Sequence, residues 1–289
     1  MIKIIGLKHR WTEESEWVLN IPFLELKRGL SLALVGESGA GKSTLLSILA
    51  GLITPTEGEV WVNEVGLHLA SESQRARWRA DYLAWQGAHT PFFNSHSVRE
   101  NLLISAQSLS RGTLATIDSA LETSERIQTN HACSLFGLSH HIMSQFPNKL
   151  SMGERQRAEV LKVWLSHRHY LLFDEPTSHL DEELSQKVSE ALLYSRPPPS
   201  NTSIVSSSLT ATSTATLIIA THNRDLARQC DLTIHLQGQN AAHVIPGEQN
   251  QIKDQAESID LSNAESSIQE IRQPISSWTL LRSFSAWSF

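Results

Sequence analysis

The sequence predicts an α/β fold whose core is a mainly parallel sheet, and three observations carry the prediction. Apolar runs of strand length recur at residues 30–35, 170–173 and 217–220. Each is continuous rather than alternating, as strands covered on both faces are. Each run also breaks off into residues that carry chemistry: a glycine cluster after 35, Asp174-Glu175 after 173, and Thr221-His222 after 220. Polar groups collect in this way at the carboxyl ends of strands in open α/β sheets.

In chain order, residues 2–7 and 19–26 read as the first two strands and 30–35 as a buried third that runs into the glycines. Ser43-Thr44-Leu45-Leu46-Ser47-Ile48-Leu49-Ala50-Gly51 has helical apolar spacing and a closing glycine. Pro55, Gly58 and Asn63 punctuate a short β region around Glu59-Val60-Trp61-Val62. Helical patterning from about 98 to 166, broken by Gly112, Gly137 and Pro147, predicts an inserted α-helical subdomain over about 90–166. The strands at 170–173 and 217–220 flank a Ser-, Thr- and Pro-rich stretch, 195–216. It lacks the apolar surface to offset its ordering entropy and reads as a flexible surface insertion. The organised domain is therefore expected over 1–240, followed by a tail at 241–289. In that tail Ile275, Trp278, Leu281, Phe284 and Trp287 are spaced for one apolar face of a short helix, suited to a membrane interface or a partner groove. The plainer alternative is a tail packed on its own domain or simply disordered.

Composition sets outer bounds. With 289 residues, 40% of them hydrophobic, the chain can bury a sizeable core as one large or two modest domains. A formal charge of -6 leaves no basic surplus to neutralise a phosphate backbone, so nucleic acid is not an expected partner. Cys133 and Cys230, the two cysteines, form no CxxC pair and read as free thiols in a reducing compartment. The apolar start is too short for a signal peptide, and no segment approaches the ~18 apolar residues of a membrane span. A soluble, cytoplasmic protein is the expectation.

Gly36-Glu37-Ser38-Gly39-Ala40-Gly41-Lys42-Ser43 fits the phosphate-loop pattern G-x-x-x-x-G-K-[ST] in full, between a predicted strand and a predicted helix. Glycines let successive N–H groups turn inward, and the helix amino terminus, with Thr44 in its first turn, adds partial positive charge. Lys42 can then reach terminal phosphates while Ser43 offers a hydroxyl oxygen to Mg²⁺. Phe173-Asp174-Glu175 supplies the complement: Asp174 to hold Mg²⁺ and Glu175 to orient and polarise an attacking water. Together they predict a P-loop NTPase core that binds and hydrolyses MgATP. The bland readings, a glycine turn that binds nothing and a solvated carboxylate pair, would each suffice for one motif alone.

Leu150-Ser151-Met152-Gly153-Glu154-Arg155-Gln156-Arg157 resembles the signature of ATP-binding cassette proteins. The family usually places two adjacent glycines here; this chain has Met152 at the first and keeps Ser151, Gly153 and Glu154. Ser151 followed three residues later by Glu154 is also a capping box, which leaves a helix amino terminus free to face an anion. Further matches come in family order. Gln86 stands at the glutamine position that approaches Mg²⁺ and couples to the membrane subunit. Pro176-Thr177-Ser178-His179-Leu180-Asp181 follows Glu175 as the family's D-loop does, and His222 matches the switch histidine that touches the γ-phosphate. Trp11 sits where an aromatic commonly stacks on adenine, although Trp17 is close by and packing explains either one. Pro147 before the signature and Asp225-Leu226-Ala227 after His222 look closest to cassettes of lipoprotein-releasing and macrolide-exporting systems.

The resemblance, covering about residues 1–240, implies a small antiparallel β subdomain beside the parallel core. It also implies a head-to-tail pair of cassettes, expected as a homodimer, with each ATP between one subunit's phosphate loop and the other's signature helix. A separate integral membrane permease would read out the cycle, with the chain peripheral on the cytoplasmic face of the inner membrane. Two readings compete: a cassette ATPase outside transport, disfavoured by the single cassette and the lack of sustained heptads, and a regulatory nucleotide binder, motivated by Met152 but opposed by Glu175 and His222.

Overall fold

The computed structural model describes residues 1–87, 92–107, 132–195, 214–237 and 240–246. Most of the stretch expected as a surface insertion at 195–216, and the whole tail beyond 246 with its 275–289 segment, lie outside the described residues.

The chain begins with β1 (Ile2–His9), β2 (Leu19–Leu26) and β3 (Ser31–Val35), then α1 (Lys42–Leu49). Next come β4 (Glu57–Val62), β5 (Val65–Gly66), α2 (Glu72–Tyr82) and β6 (Leu83–Gln86). The helical region holds α3 (Val98–Gln107), α4 (His140–Ser144), a 3-10 turn at Pro147–Lys149 and α5 (Met152–Trp164). After it follow β7 (Tyr170–Asp174), α6 (Glu182–Tyr194), β8 (Thr216–Ala220), α7 (Arg224–Gln229), β9 (Leu232–Gln237) and β10 (Asn240–Pro246).

Two sheets result. The larger has the order β10-β9-β3-β8-β7-β6, with every pairing parallel except that of β9 with the edge strand β10. The smaller is antiparallel, β2-β1-β4-β5. The expected mixed α/β class therefore holds, with its mainly parallel core, small antiparallel sheet and helices between β6 and β7.

Strand alternation decides which side chains face which layer. Leu32 and Leu34 of β3, Tyr170 and Leu172 of β7, and Ile218 and Ala220 of β8 pack with α1 and the antiparallel sheet. Their neighbours Ala33, Leu171, Phe173, Leu217 and Ile219 face the other way, into a second core with α5, α6 and α7. Both faces of the parallel sheet are covered, which is why these strands read as unbroken apolar runs. In β1 the alternation is interrupted: Ile2 and Ile4 are buried, and so is Leu7. Gly6 lies between them at a φ of 58°, where the register with β4 shifts, so a bulge turns the strand by one residue and keeps both halves facing the core.

The parallel order places the ends of β3, β8, β7 and β6 side by side, and the candidate residues lie at those ends.

Candidate functional site

Val35 hands the chain to the loop at Gly36, and α1 starts six residues later at Lys42. Glu37, Ser38 and Gly39 are exposed, while Ala40 is buried and donates its N–H to Glu37 O at 3.1 Å. Gly41 must be glycine on two counts. Its φ is 95°, and an added Cβ would stand 2.7 Å from Leu19 Cδ2 and 3.0 Å from Val18 O. It is also the cap of α1 and has no side chain to offer, and no acidic residue lies in the first turn. The N–H groups of Lys42, Ser43 and Thr44 are thus left for an anion, at the positive end of the helix.

Lys42 is almost wholly buried. Its ammonium donates to Gly36 O at 2.8 Å and Glu37 O at 3.1 Å, and its third direction meets His222 Nε2 at 3.1 Å. His222, half-exposed just past β8, also brings Nε2 to 3.3 Å from Glu175 Oε1. Its backbone N–H donates to Glu175 Oε2 at 3.2 Å. Residues 42, 175 and 222, from three separate strand ends, so form one polar cluster. Burial pushes the Glu175 carboxyl above the usual carboxylate range; the His222 N–H and the charges of His222 and Lys42 pull it back, and Asp174 pushes it further up. Glu175 Oε1 is buried and makes no hydrogen bond, although it is the oxygen that faces His222. A carboxylate oxygen that is desolvated and unpaired is an acceptor awaiting a donor.

Asp174 ends β7 half-buried, and its N–H donates to Gln86 Oε1 at 3.2 Å from the end of the neighbouring strand β6. Gln86 is itself buried. The hydroxyl of Ser43, the Asp174 carboxylate and the remaining lone pair on Gln86 Oε1 are hard oxygen donors of the kind Mg²⁺ takes. Among the described residues no group of three or more His, Cys, Asp or Glu could hold a metal alone. That donor set fits an ion whose shell is completed by phosphate oxygens and water, the usual arrangement for Mg²⁺ at nucleotide sites.

Ser151 caps α5, and the box closes both ways: Glu154 N–H donates to Ser151 Oγ at 3.3 Å, and Ser151 N–H and Oγ–H donate to Glu154 Oε2 at 2.9 and 2.8 Å. Those bonds, the backbone one foremost, hold the Glu154 carboxyl below its ordinary range. Met152 is 68% exposed at the first position of the helix. Gly153 faces inward instead, where a Cβ would lie 3.2 Å from His179 O. The amino terminus of α5 is therefore exposed at Ser151 and Met152, and α5 reaches the main chain of Glu175 one turn later, through Gln156. Buried Gln156 donates from Nε2 to the carbonyl of Glu175 and, at 2.8 Å, to Ser178 Oγ. Gln156 was not a candidate on sequence. Its signal was its spacing, three residues past Gly153 and so on the same face of the helix.

Trp11 is 61% exposed on the connection between β1 and β2, with only an edge contact at 5.1 Å to the ring of His9. Trp17 on the same connection is partly buried, and its face is taken by the Arg10 guanidinium at 4.8 Å. This connection returns to the phosphate loop at Val18, whose carbonyl lies against Gly41. Of the two tryptophans, Trp11 has the ring free to stack.

The family profile described as ABC transporter matches residues 19–178. The chain is 32% identical over 238 residues to the lipoprotein-releasing system ATP-binding protein LolD of Pseudomonas syringae pv. tomato, covering 81% of this chain and 92% of that protein. It is also 32% identical over 213 residues to LolD of Xanthomonas axonopodis pv. citri, covering 74% of this chain and 78% of that one. Among solved structures, a dimeric ATP-binding cassette in a post-hydrolysis state with ADP and Pi superposes with a TM-score of 0.69 at 23% identity, over 85% of this chain and 98% of that one.

Proposed function

Because the chain belongs to the ATP-binding cassette transporter family, whose ATP-binding subunits power transport, we propose that it hydrolyses ATP with the residues gathered at the ends of β3, β7 and β8 and passes the cycle to a separate membrane permease. The observation that carries this reading is the convergence of Lys42, His222 and Glu175. In the proposal the loop from Gly36 to Thr44 cradles the phosphates and Trp11 stacks on adenine. Lys42 transfers its outward N–H from His222 to a γ-phosphate oxygen, and His222 contacts the same group. Glu175 Oε1 accepts a hydrogen bond from the attacking water and takes up its proton as the water oxygen bonds to the γ-phosphorus and the bond from that phosphorus to the β-phosphate oxygen breaks, giving phosphate and ADP. Mg²⁺, held by Ser43, Asp174 and Gln86, would supply charge neutralisation on the phosphates. Among the described residues no helix is long and apolar enough to cross a membrane, which is consistent with a permease carried on another chain. We take residues 1–240 as the ATP-binding domain. The permease selects cargo in such systems, so release of lipoproteins, named for the LolD relatives, is a reading to be tested with that partner.

The exposed start of α5, with Ser151 and Met152 at its tip, supports a second subunit completing each site. Two sites then require two chains, expected as a homodimer on the cytoplasmic face of the membrane. ATPase activity per chain should rise with protein concentration until the dimer saturates. Specific activity that stays flat across the range where gel filtration shows monomer giving way to dimer would overturn the shared site.

Met152 sets the quality of that shared site. A side chain at the first helical position, exposed among the described residues, meets the partner's nucleotide in the closed pair. Met152→Gly should therefore raise steady-state turnover, measured beside the parent with the permease present. No acceleration would remove the crowding argument.

A further inference from the structure

We propose that Gln156 is a positioning residue for Glu175, and that through it the signature helix of each subunit sets the water-polarising carboxylate of its own site; the inference rests on the role given to Glu175 above. Glu175 needs holding. Its φ of 51° lies in the left-handed region, which a β-substituted residue adopts only when its surroundings enforce it. That conformation turns the side chain from the line of β7 toward His222. Three groups fix it through the main chain. Glu175 N–H donates to Ala220 O at 2.9 Å, tying it to β8. Ser178 donates to the Glu175 carbonyl from Oγ at 2.9 Å and from its N–H at 3.2 Å. Gln156 Nε2 donates to that same carbonyl and to Ser178 Oγ, so one amide spends both protons on the turn.

Of these donors, Gln156 alone comes from outside the 174–181 turn and the parallel sheet. It is buried at 8% exposure on α5, so the contact is not one that solvent would replace. Its Oε1 is buried without a partner, which leaves the two Nε2 bonds as all that orients the amide. The same helix begins at Ser151, where the partner's nucleotide is expected, and Gly153 packs against His179 O in between. One helix of 13 residues thus has its tip where the second site is expected and, one turn later, holds the main-chain carbonyl of the first site's Glu175. Nothing else among the described hydrogen bonds joins α5 to the Glu175 main chain.

The test is Gln156→Met in the full-length chain, a change that keeps length and apolar volume and deletes both donors. Turnover should fall roughly 10- to 100-fold, as small displacements of a catalytic group do, with the KM for ATP within about twofold of the parent. Introduced into a Glu175→Gln background, the same substitution should cause no further loss in residual hydrolysis, because it acts through a group no longer there. Ser178→Ala is the companion variant if Gln156→Met unfolds, which a thermal melt reports; it removes another donor from the same carbonyl and should lower turnover with KM unchanged. Unchanged turnover in Gln156→Met, or an equal loss with and without the Glu175 carboxylate, would overturn the inference while Glu175→Gln alone remained slow. Parental hydrolysis by Glu175→Gln would instead remove the role of Glu175, and the inference with it.

Discussion

Glu175→Gln is expected to bind ATP with near-parental affinity and to turn it over about 10²–10⁴-fold more slowly. The two carboxylate oxygens have separate tasks. Oε2 accepts the His222 N–H at 3.2 Å, a bond that an amide oxygen can keep. Oε1 is the buried oxygen with no hydrogen bond, and in the amide an NH₂ takes its place. That group offers protons where an acceptor is needed, so a water could no longer be aligned or deprotonated there. The fold should tolerate the change, since Gln has the same shape and removes a charge that burial disfavours. The pH profile sharpens the expectation. Because burial raises the Glu175 carboxyl, against the His222 N–H and the charges of His222 and Lys42, the rising limb of kcat should lie above the range of an exposed glutamate. Below that limb the carboxyl is protonated and cannot act as base. The limb should vanish in the Gln variant. Hydrolysis within about tenfold of the parent, with ATP binding intact, would show that another group polarises the water.

What could be read from the sequence follows from how local each feature is. The phosphate loop was legible because its chemistry is contiguous: a strand, glycines and a helix start fix the backbone over one stretch, from Gly36 to Ser43. Strands β3, β7 and β8 were legible because both of their faces are covered. By contrast α2 was missed. Trp78 is its one buried residue, so it has no apolar stripe to reveal a period; charge holds it, Glu72 pairing with Arg75 and Arg79, with a capping box of Ser71 and Gln74 that is visible in the sequence only once the helix is known. Strands β9 and β10 were missed for a related reason, since their pairing with β3 and with each other is a property of the tertiary order. The link from Gln156 to Glu175 was beyond reach in kind. It joins residues 19 apart in sequence, and neither side announces the other. Motif order suggested that Lys42, Glu175 and His222 belong together, and the strand order supplies the reason: β3, β8 and β7 are neighbours, so their ends are as well.

Lys42→Ala should abolish most nucleotide binding while leaving the chain folded. The ammonium is the one formal positive charge within the loop, and it is almost entirely buried. With no phosphate to meet, its protons go to Gly36 O, Glu37 O and His222 Nε2. The two carbonyls are neutral acceptors, weaker than a phosphate oxygen, and a phosphate oxygen in place of His222 gives the ammonium a charged partner, so the exchange is favourable. Hydrogen bonds to charged groups contribute about 1.5–3 kcal/mol, which corresponds to a loss of roughly 10- to 150-fold in ATP affinity when the donor is removed. The Gly36 and Glu37 carbonyls lose a donor too, yet neither residue is buried and water can take its place, so the melting temperature without ATP should shift little. The decisive measurement is therefore a difference. At an ATP concentration of about 100 times the parental Kd, binding stabilises the parent by about 2.7 kcal/mol; a 100-fold weaker variant under the same conditions keeps about 0.4 kcal/mol. The thermal upshift on adding ATP should collapse in Lys42→Ala and persist in Glu175→Gln. An upshift retained in both would mean that the backbone N–H groups at the start of α1 carry the phosphate affinity without the lysine.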